Sequence, residues 1–315
     1  MSPSQGPTLV VLAAGMSQRY GRLQQIDPVG PHGESIMDYN IWAARGAGFR
    51  KVVLVVREEI EAQIVEHVHQ VVGDAVPMAL CHQDLELLPD GYHAPPDRKQ
   101  PWGTGHAVLC AARNLTGPFA VCNADDLYGP DAFRRLADFA TSESPPTEAA
   151  LVGYTLADTL MGAGRVARGL CVLGRDRLLE TLTEVREIKM VDGWITGVGL
   201  GGEVVELRGH EIVSMNLWGF TPEVMGLLRR QFIRFLESWG SSTHAEFRIS
   251  TAINGQISIG HTRCKVMQSD DAWFGTTHPD DHEPAVAYVQ ARIDEGVYPD
   301  DLAKAFQAEA RTVGT

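Results

Sequence analysis

Hydrophobic and polar positions in the first half of the chain fall into blocks rather than alternating singly. Short runs without polar interruption, Thr8–Ala14, Val52–Val56, Pro77–Cys81 and Phe119–Cys122, are separated by longer stretches with helical spacing. Runs of this length, rich in Val, Leu and Ala, predict strands buried on both faces. Between the first two, Ile36, Tyr39, Asn40, Ala43, Ala44 and Ala47 recur along one helical face and Gly48 follows. That predicts a helix over Ile36–Ala47 with a glycine stop. Glu58–His67 predicts a second helix with acids in its first turn, and Gly105–Arg113 a third. Fully apolar strands alternating with helices predict an α/β fold with a parallel sheet covered on both faces.

The second half is mixed. Strand-like pieces recur at Ala149–Tyr154, Gly169–Leu173, Val204–Leu207, Val213–Phe220 and Cys264–Met267, with helices expected over Pro222–Phe235 and Pro284–Glu295. No internal repeat, and no hexapeptide array in particular, interrupts this order. The expectation is a continued sheet with an added lobe.

Composition removes several classes. No apolar run approaches the roughly 20 residues of a membrane span, and the start MSPSQGPT lacks the basic segment of a signal peptide. Cys81, Cys110, Cys122, Cys171 and Cys264 are scattered and never in CxxC spacing, which argues against a disulfide framework or zinc knuckle. A cytoplasmic protein is expected. The net charge of −13 argues against a nucleic-acid partner. If the substrates are phosphates, local cations, backbone N–H groups and a metal must hold them.

Parallel sheets bind ligands beyond the C-terminal ends of their strands, which directs attention to the loops 15–24, 83–104 and 123–129. After the first strand, Gly15 allows close backbone approach to a phosphate, successive N–H groups can form an anion nest, and Arg19 can fork onto phosphate oxygens. After the fourth strand stand two carboxylates, Asp125 and Asp126. Mg²⁺ bridges phosphates with one or two protein carboxylates, and consecutive extended residues point opposite ways, so one of the two is expected to ligate. The Gly103-Thr104-Gly105 turn has no strand running into it, so it is not a dinucleotide fingerprint. His106 behind it is expected to pack rather than react. Asn216 is an amide inside an apolar strand and needs partners.

The string Leu12-Ala13-Ala14-Gly15-Met16-Ser17-Gln18-Arg19-Tyr20-Gly21 resembles the opening of the sugar-phosphate nucleotidyltransferase superfamily. The likeness continues through Pro101-Trp102-Gly103-Thr104-Gly105-His106-Ala107, Val121–Gly129, Glu187-Ile188-Lys189 and Trp273–Asp281, so it covers roughly residues 8–300. It implies a Rossmann-like, GT-A-type fold: a mostly parallel mixed sheet flanked by helices, with a smaller substrate lobe. It also implies one unit over 1–315, with a nucleotide-binding part at about 8–148 and an acceptor-binding part at about 149–300.

The implied activity is Mg²⁺-dependent transfer of a nucleotidyl group from an NTP to a sugar 1-phosphate, releasing pyrophosphate. By the resemblance, Leu12, Ala14, Gly15, Ser17, Gln83, Gly103, Thr104 and Gly105 hold the nucleotide, with its base near Trp102. Arg19 and Lys189 meet phosphates. Gln24 stands where the relatives carry a phosphate-binding lysine, keeping donors and losing the charge. Arg168, Gly169, Glu187 and Asn216 line the sugar side. Asp125 takes the metal, and Asp281 is a candidate second ligand because Thr277 occupies the aligned position. Two alternatives stay open: a nucleotide-binding relative with weakened or lost catalysis, and a cytidylyltransferase for a non-sugar phosphate such as phosphocholine or a polyol phosphate.

Overall fold

The computed structural model describes residues 6–15, 18–19, 22–142, 148–160, 164–276 and 279–313. β1 (Thr8–Leu12) buries Leu9, Val10 and Val11 completely. A small ribbon follows, β2 (Gln18–Arg19) against β3 (Arg22–Leu23). α1 (Ile36–Ala47) starts in a capping box made by Ser35 and Asp38 and stops at Gly48, whose φ of 108° is left-handed. Then come β4 (Lys51–Val56), α2 (Glu58–Val71), β5 (Met78–His82), α3 (Thr104–Cys110) and β6 (Phe119–Asn123). α2 runs on past the expected His67 because Val68 and Val71 continue the buried face of Ile60 and Ile64. β5, β4, β1 and β6 lie side by side and parallel, as the apolar runs require.

The second half joins the same sheet through antiparallel pairs. After β7 (Asp126–Leu127) and α4 (Pro130–Thr141) come β8 (Glu148–Thr155), β9 (Val166–Leu173), β10 (Leu179–Val191), β11 (Trp194–Val198), β12 (Val204–Leu207) and β13 (Ile212–Phe220). β13 is the joint. Its end, Trp218–Phe220, pairs with β6; its start pairs with β9; and β8 lies along its other edge. β10, β11 and β12 extend outward from β9 as an antiparallel arm. The chain closes with α5 (Val224–Trp239), α6 (Ile249–Ser258), β14 (Arg263–Gln268) parallel to β8, β15 (Phe274–Gly275) against β7, α7 (His282–Asp294) and α8 (Leu302–Val313).

The sheet separates two cores, and alternate residues of one strand feed both. Leu9 and Val11 pack with Met37, Phe133 and Leu302; Val10 packs with Trp102, Val108, Leu228 and Ile253. Several elements escaped the sequence reading. β10 is expected only at Glu187-Ile188-Lys189, where the resemblance implies a strand; its remainder, with Glu180, Glu184 and Arg186, is largely exposed and lacks an apolar run. α4 begins with Pro130, tolerated at a helix start where the N–H has no intrahelical partner. The five cysteines are free. No helix among the described residues is long and apolar enough to cross a membrane.

Candidate active site

A cavity of about 1060 Å³ opens at the C-terminal ends of β1, β5 and β6. Leu12, Ala14 and Gly15 border it after β1, Gln83 after β5, and Asn123, Asp125 and Asp126 after β6. Gly103 and Thr104 approach from the head of α3, while Arg168, Gly169 and Asn216 approach from β9 and β13. Thus residues from both halves of the chain share one space. Ser17 lies outside the described residues, as does the side chain of Arg19.

The three glycines differ in what demands them. Among the described residues, a Cβ on Gly15 would meet nothing closer than Gln25 Nε2 at 3.4 Å, so their packing does not exclude a side chain there, and the residue borders the cavity. A Cβ on Gly103 would lie 2.7 Å from the Phe247 carbonyl oxygen, at a φ of +98°, and one on Gly105 would lie 2.6 Å from the Phe247 ring. These two glycines serve a close backbone approach within the protein. Phe247 N–H donates to Trp102 O at 2.7 Å, Gly105 N–H to Phe247 O at 2.9 Å, and Ile249 N–H to Thr104 Oγ1 at 3.1 Å. The turn is thereby locked to the segment leading into α6, and Gly105 itself does not line the cavity.

That locked segment is a wall the sequence did not reveal. Glu246, Arg248, Ser250, Thr251 and Asn254 line the cavity, with Glu184 of β10 opposite. Arg248 donates from Nη1 to Glu184 at 2.7 Å and from Nε to Glu246 at 2.9 Å. No strand-end signal marks these residues; only packing of α6 against β10 brings them in.

Trp102 does not await a base. It is fully buried against Phe232 and Phe235, its Nε1 donates to Leu85 O, and the Arg98 guanidinium sits 3.5 Å from its ring centre. His106 is also interior: burial pushes its imidazole down to about 4, and Nε2 contacts Leu87 O at 2.9 Å. Gln83 donates from Nε2 to Gly103 O at 2.9 Å, which leaves Oε1 and the second Nε2 hydrogen for a ligand.

Asp125 and Asp126 do point to different partners. Asp125 Oδ2 accepts from Gln24 Nε2 at 3.0 Å, and its carbonyl accepts the Thr276 N–H. Asp126 Oδ2 takes hydrogen bonds from Asn123 Nδ2 at 2.8 Å and from Tyr128 OH at 3.2 Å. Burial first, and then the adjacent Asp125 charge, push the Asp126 carboxyl up to about 7. Tyr128 has one hydroxyl hydrogen for two acceptors, Asp126 Oδ2 and Met215 O, a competition that a protonated Asp126 relieves.

Asn216 sits in a bulge of β13 between Ser214 and Leu217, with a left-handed φ of 61°. The irregularity lets one strand change partner from β9 to β6. Its amide partners are protein groups rather than a sugar alone: Nδ2 donates to Asn123 Oδ1 at 2.7 Å and Oδ1 accepts from Trp218 Nε1 at 2.9 Å. One amide hydrogen remains. Arg168 is likewise occupied, with Nε and Nη2 on Thr159 and its guanidinium 4.9 Å from the centre of the Trp273 ring. Burial, only partly countered by Asp126, holds it down at about 10.

The remaining candidates stand apart from this space. Glu187 and Lys189 are exposed on β10 and do not line the cavity; Glu187, at a φ of 52°, pairs with Arg165 of the cavity wall at 2.7 Å. Asp281 stands at the N-terminal boundary of α7, also outside the lining, and Thr277 lies outside the described residues.

Residues 9–189 match the sequence profile of the family described as "MobA-like NTP transferase domain". Among curated proteins, the chain is 36% identical over 110 residues to "Bifunctional protein GlmU" of Pelobacter propionicus, covering 34% of this chain and 19% of that protein. It is 28% identical over 240 residues to the protein of that name from Hyphomonas neptunium, covering 71% and 45%. The chain therefore spans less than half the length of these relatives. Among solved structures, the inositol-1-phosphate CTP transferase from T. maritima aligns with a TM-score of 0.62 at 15% identity, over 93% of this chain and 98% of that one. A UDP-glucose pyrophosphorylase complexed with UDP-glucose gives 0.57 at 14%, over 91% and 100%. At such identities the likeness is one of fold.

Proposed function

The chain belongs to the MobA-like NTP transferase domain family of nucleotidyltransferases, and from that premise we propose that it transfers a nucleotidyl group from an NTP to a sugar 1-phosphate. One observation carries the reading: Gly15, Gln83, Thr104, Asp125 and Asn216 border a single cavity at the strand ends. Its volume is at the upper end of the usual range for small-molecule sites, which suits two substrates.

A divalent cation fits the donor set. Asp125 presents a carboxylate to the cavity beside the Gln24 amide, whose Oε1 is buried without a hydrogen-bond partner among the described residues. The described residues hold no group of three His, Cys, Asp or Glu side chains able to form a protein-only metal cage. A single carboxylate at the cavity suits Mg²⁺, which takes few protein oxygens and completes its shell with water and phosphate. Asp125 would hold it, and it would supply charge neutralisation at the reacting phosphates.

In the proposed reaction an oxygen of the acceptor phosphate attacks the α-phosphorus. The bond from that phosphorus to the bridging oxygen breaks, and pyrophosphate leaves. The acceptor oxygen is already ionised, so no general base is required. The protein contributes position and electrostatics. Gly15 gives the polyphosphate a bare backbone, Gln83 offers Oε1 to an N–H of the base, and the remaining Asn216 hydrogen meets an acceptor hydroxyl.

Gln24 supports a second reading, a relative that binds nucleotide without turnover, because a neutral amide adds no charge to the phosphates. The test is pyrophosphate release from five NTPs, each paired with sugar 1-phosphates, a polyol phosphate and phosphocholine, with Mg²⁺ or with chelator. The expected result is metal-dependent release for a sugar 1-phosphate pair, reduced at least about a hundredfold in Asp125→Asn. Calorimetric NTP binding with no release would favour the second reading. Release only from CTP with a non-sugar acceptor would replace the acceptor proposed above.

A further inference from the structure

β10, β9 and β13 lay one row of residues across the sheet. Glu184 stands opposite Gly169, and Gly169 opposite Ser214, so the three share a face, and all three line the cavity. Gly169 has no side chain, so the row dips between Glu184 and Ser214. α6 packs against β10 beside this dip, where Asn254 Oδ1 accepts the Leu182 N–H at 2.8 Å. Arg248, one residue before α6, reaches back to the row.

Arg248 ties two acids together. Its Nη1 donates to Glu184 Oε2 at 2.7 Å and its Nε to Glu246 Oε2 at 2.9 Å. Oε1 of each acid has no hydrogen-bond partner among the described residues, and three of the five guanidinium hydrogens remain. The cavity wall thus carries acceptor, donors and acceptor side by side. Half-exposed ion pairs add little to stability, so holding the fold does not account for the trio.

Charge decides what such a trio fits. Two carboxylates against one guanidinium leave a net negative charge, which opposes a phosphate. A quaternary ammonium is held by aromatic faces. Among the described lining residues the aromatic side chain is Trp273, and the Arg168 guanidinium sits over its ring. A hydroxyl both donates and accepts. Two hydroxyls on neighbouring carbons can each donate to one carboxylate while accepting from the guanidinium between them.

We propose that Glu184, Arg248 and Glu246 form a subsite that reads a vicinal pair of hydroxyls on a neutral ring or polyol. The inference rests on the reading of the cavity as a site of nucleotidyl transfer, and it adds which part of a substrate meets this wall. Two substrates carry such a pair, the acceptor and the ribose of the NTP. Glu184 stands beside Gly169 of β9, and Glu246 beside the Phe247 that grips Gly103 and Gly105, so the trio spans both sides.

The experiment measures binding to the full chain by calorimetry with Mg²⁺. The acceptor arm compares glucose 1-phosphate and galactose 1-phosphate with their 3-deoxy analogues, whose rings keep no vicinal hydroxyl pair, with and without an α,β-methylene nucleoside triphosphate. The ribose arm compares ATP, CTP, GTP and UTP with their 2′-deoxy forms. Wild type is expected to bind an intact probe about tenfold or more tighter than its deoxy partner in one arm, and that arm identifies the source of the hydroxyls. Glu184→Ala and Arg248→Met should cut the ratio to about threefold or less while binding the deoxy probe as wild type does. Glu184→Gln, which keeps an acceptor oxygen, should recover part of it. Circular dichroism and thermal melts confirm that each variant folds. The proposal is overturned if wild type shows no preference in either arm, or if the variants weaken intact and deoxy probes alike, as a structural strap would. Pyrophosphate release measured alongside separates the two readings. A hydroxyl preference that depends on Glu184 without any release keeps the subsite and sinks the transferase. Release indifferent to both deoxy substitutions sinks this inference and leaves the transferase standing.

Discussion

Single residues show where local chemistry is decided by one partner. Asp38 is fully buried, yet three donors reach its Oδ2: Ser35 N–H at 2.7 Å, Ser35 Oγ at 2.8 Å and His67 Nε2 at 2.6 Å. For His67, burial pulls the imidazole pKa down, but the hydrogen bond and charge of Asp38 outweigh it and the net shift is upward. The stabilisation from this pair is therefore complete below the unfolded value near 6.5 and fades as pH rises through the higher folded value. His67→Gln should cost about 1.5–3 kcal/mol in urea unfolding at pH 5.5, and clearly less at pH 9. An equal cost at both pH values would show that packing, not the ion pair, matters there. The residue scale was also the most legible for Gly15 and Asp125, both at the cavity, since a glycine directly after an apolar run, or an acid a few residues past one, carries its own signal. It was least legible for Gln24, whose meaning depends on a partner 101 positions away.

Elements decide which side chains share a wall. One wall of the cavity depends on α6 packing against β10, and on the three hydrogen bonds that join Phe247 and Ile249 to Trp102, Thr104 and Gly105. Arg248 rides on that junction and is half-exposed between Glu184 and Glu246. Exposed pairs of this kind contribute at most about 1 kcal/mol to stability. Arg248→Gln is therefore expected to leave the melting temperature within a few degrees of wild type while raising KM for a phosphorylated substrate severalfold. A matching fall in melting temperature with unchanged KM would make Arg248 a structural strap instead. Neither α6 nor the inner part of β10 stood out in the sequence, for opposite reasons. α6, Ile249–Ser258, is short and rich in small polar residues, and β10 is charged because it is exposed. Hydrophobic periodicity finds elements that bury a continuous face and passes over those that frame a cavity.

At the scale of the whole molecule, one sheet carries both halves of the chain and two cores sandwich it. α8 packs against α1 and α2, with Leu302 and Phe306 buried and Phe306 edge-on to Trp42, well outside the cavity lining. Phe306→Ala should destabilise by about 3–5 kcal/mol in denaturant unfolding, yet leave pyrophosphate release per folded molecule unchanged. A drop in that specific activity would mean that this end of the molecule is coupled to the site. The amino-acid sequence by itself determined the four parallel strands, the helices between them and which residues stand at their ends. Those are written in short-range patterns: unbroken apolar runs, a helical period, and a glycine or acid where a run stops. Only the tertiary structure decided that the second half enters through antiparallel pairs at β13, and that Trp102, Gly103 and Gly105 serve Phe247. It alone set Gln24 upon Asp125 and Arg248 against Glu184. The reason is physical. These contacts join residues tens to hundreds of positions apart, and their geometry depends on the packed path of the chain rather than on any neighbour in sequence.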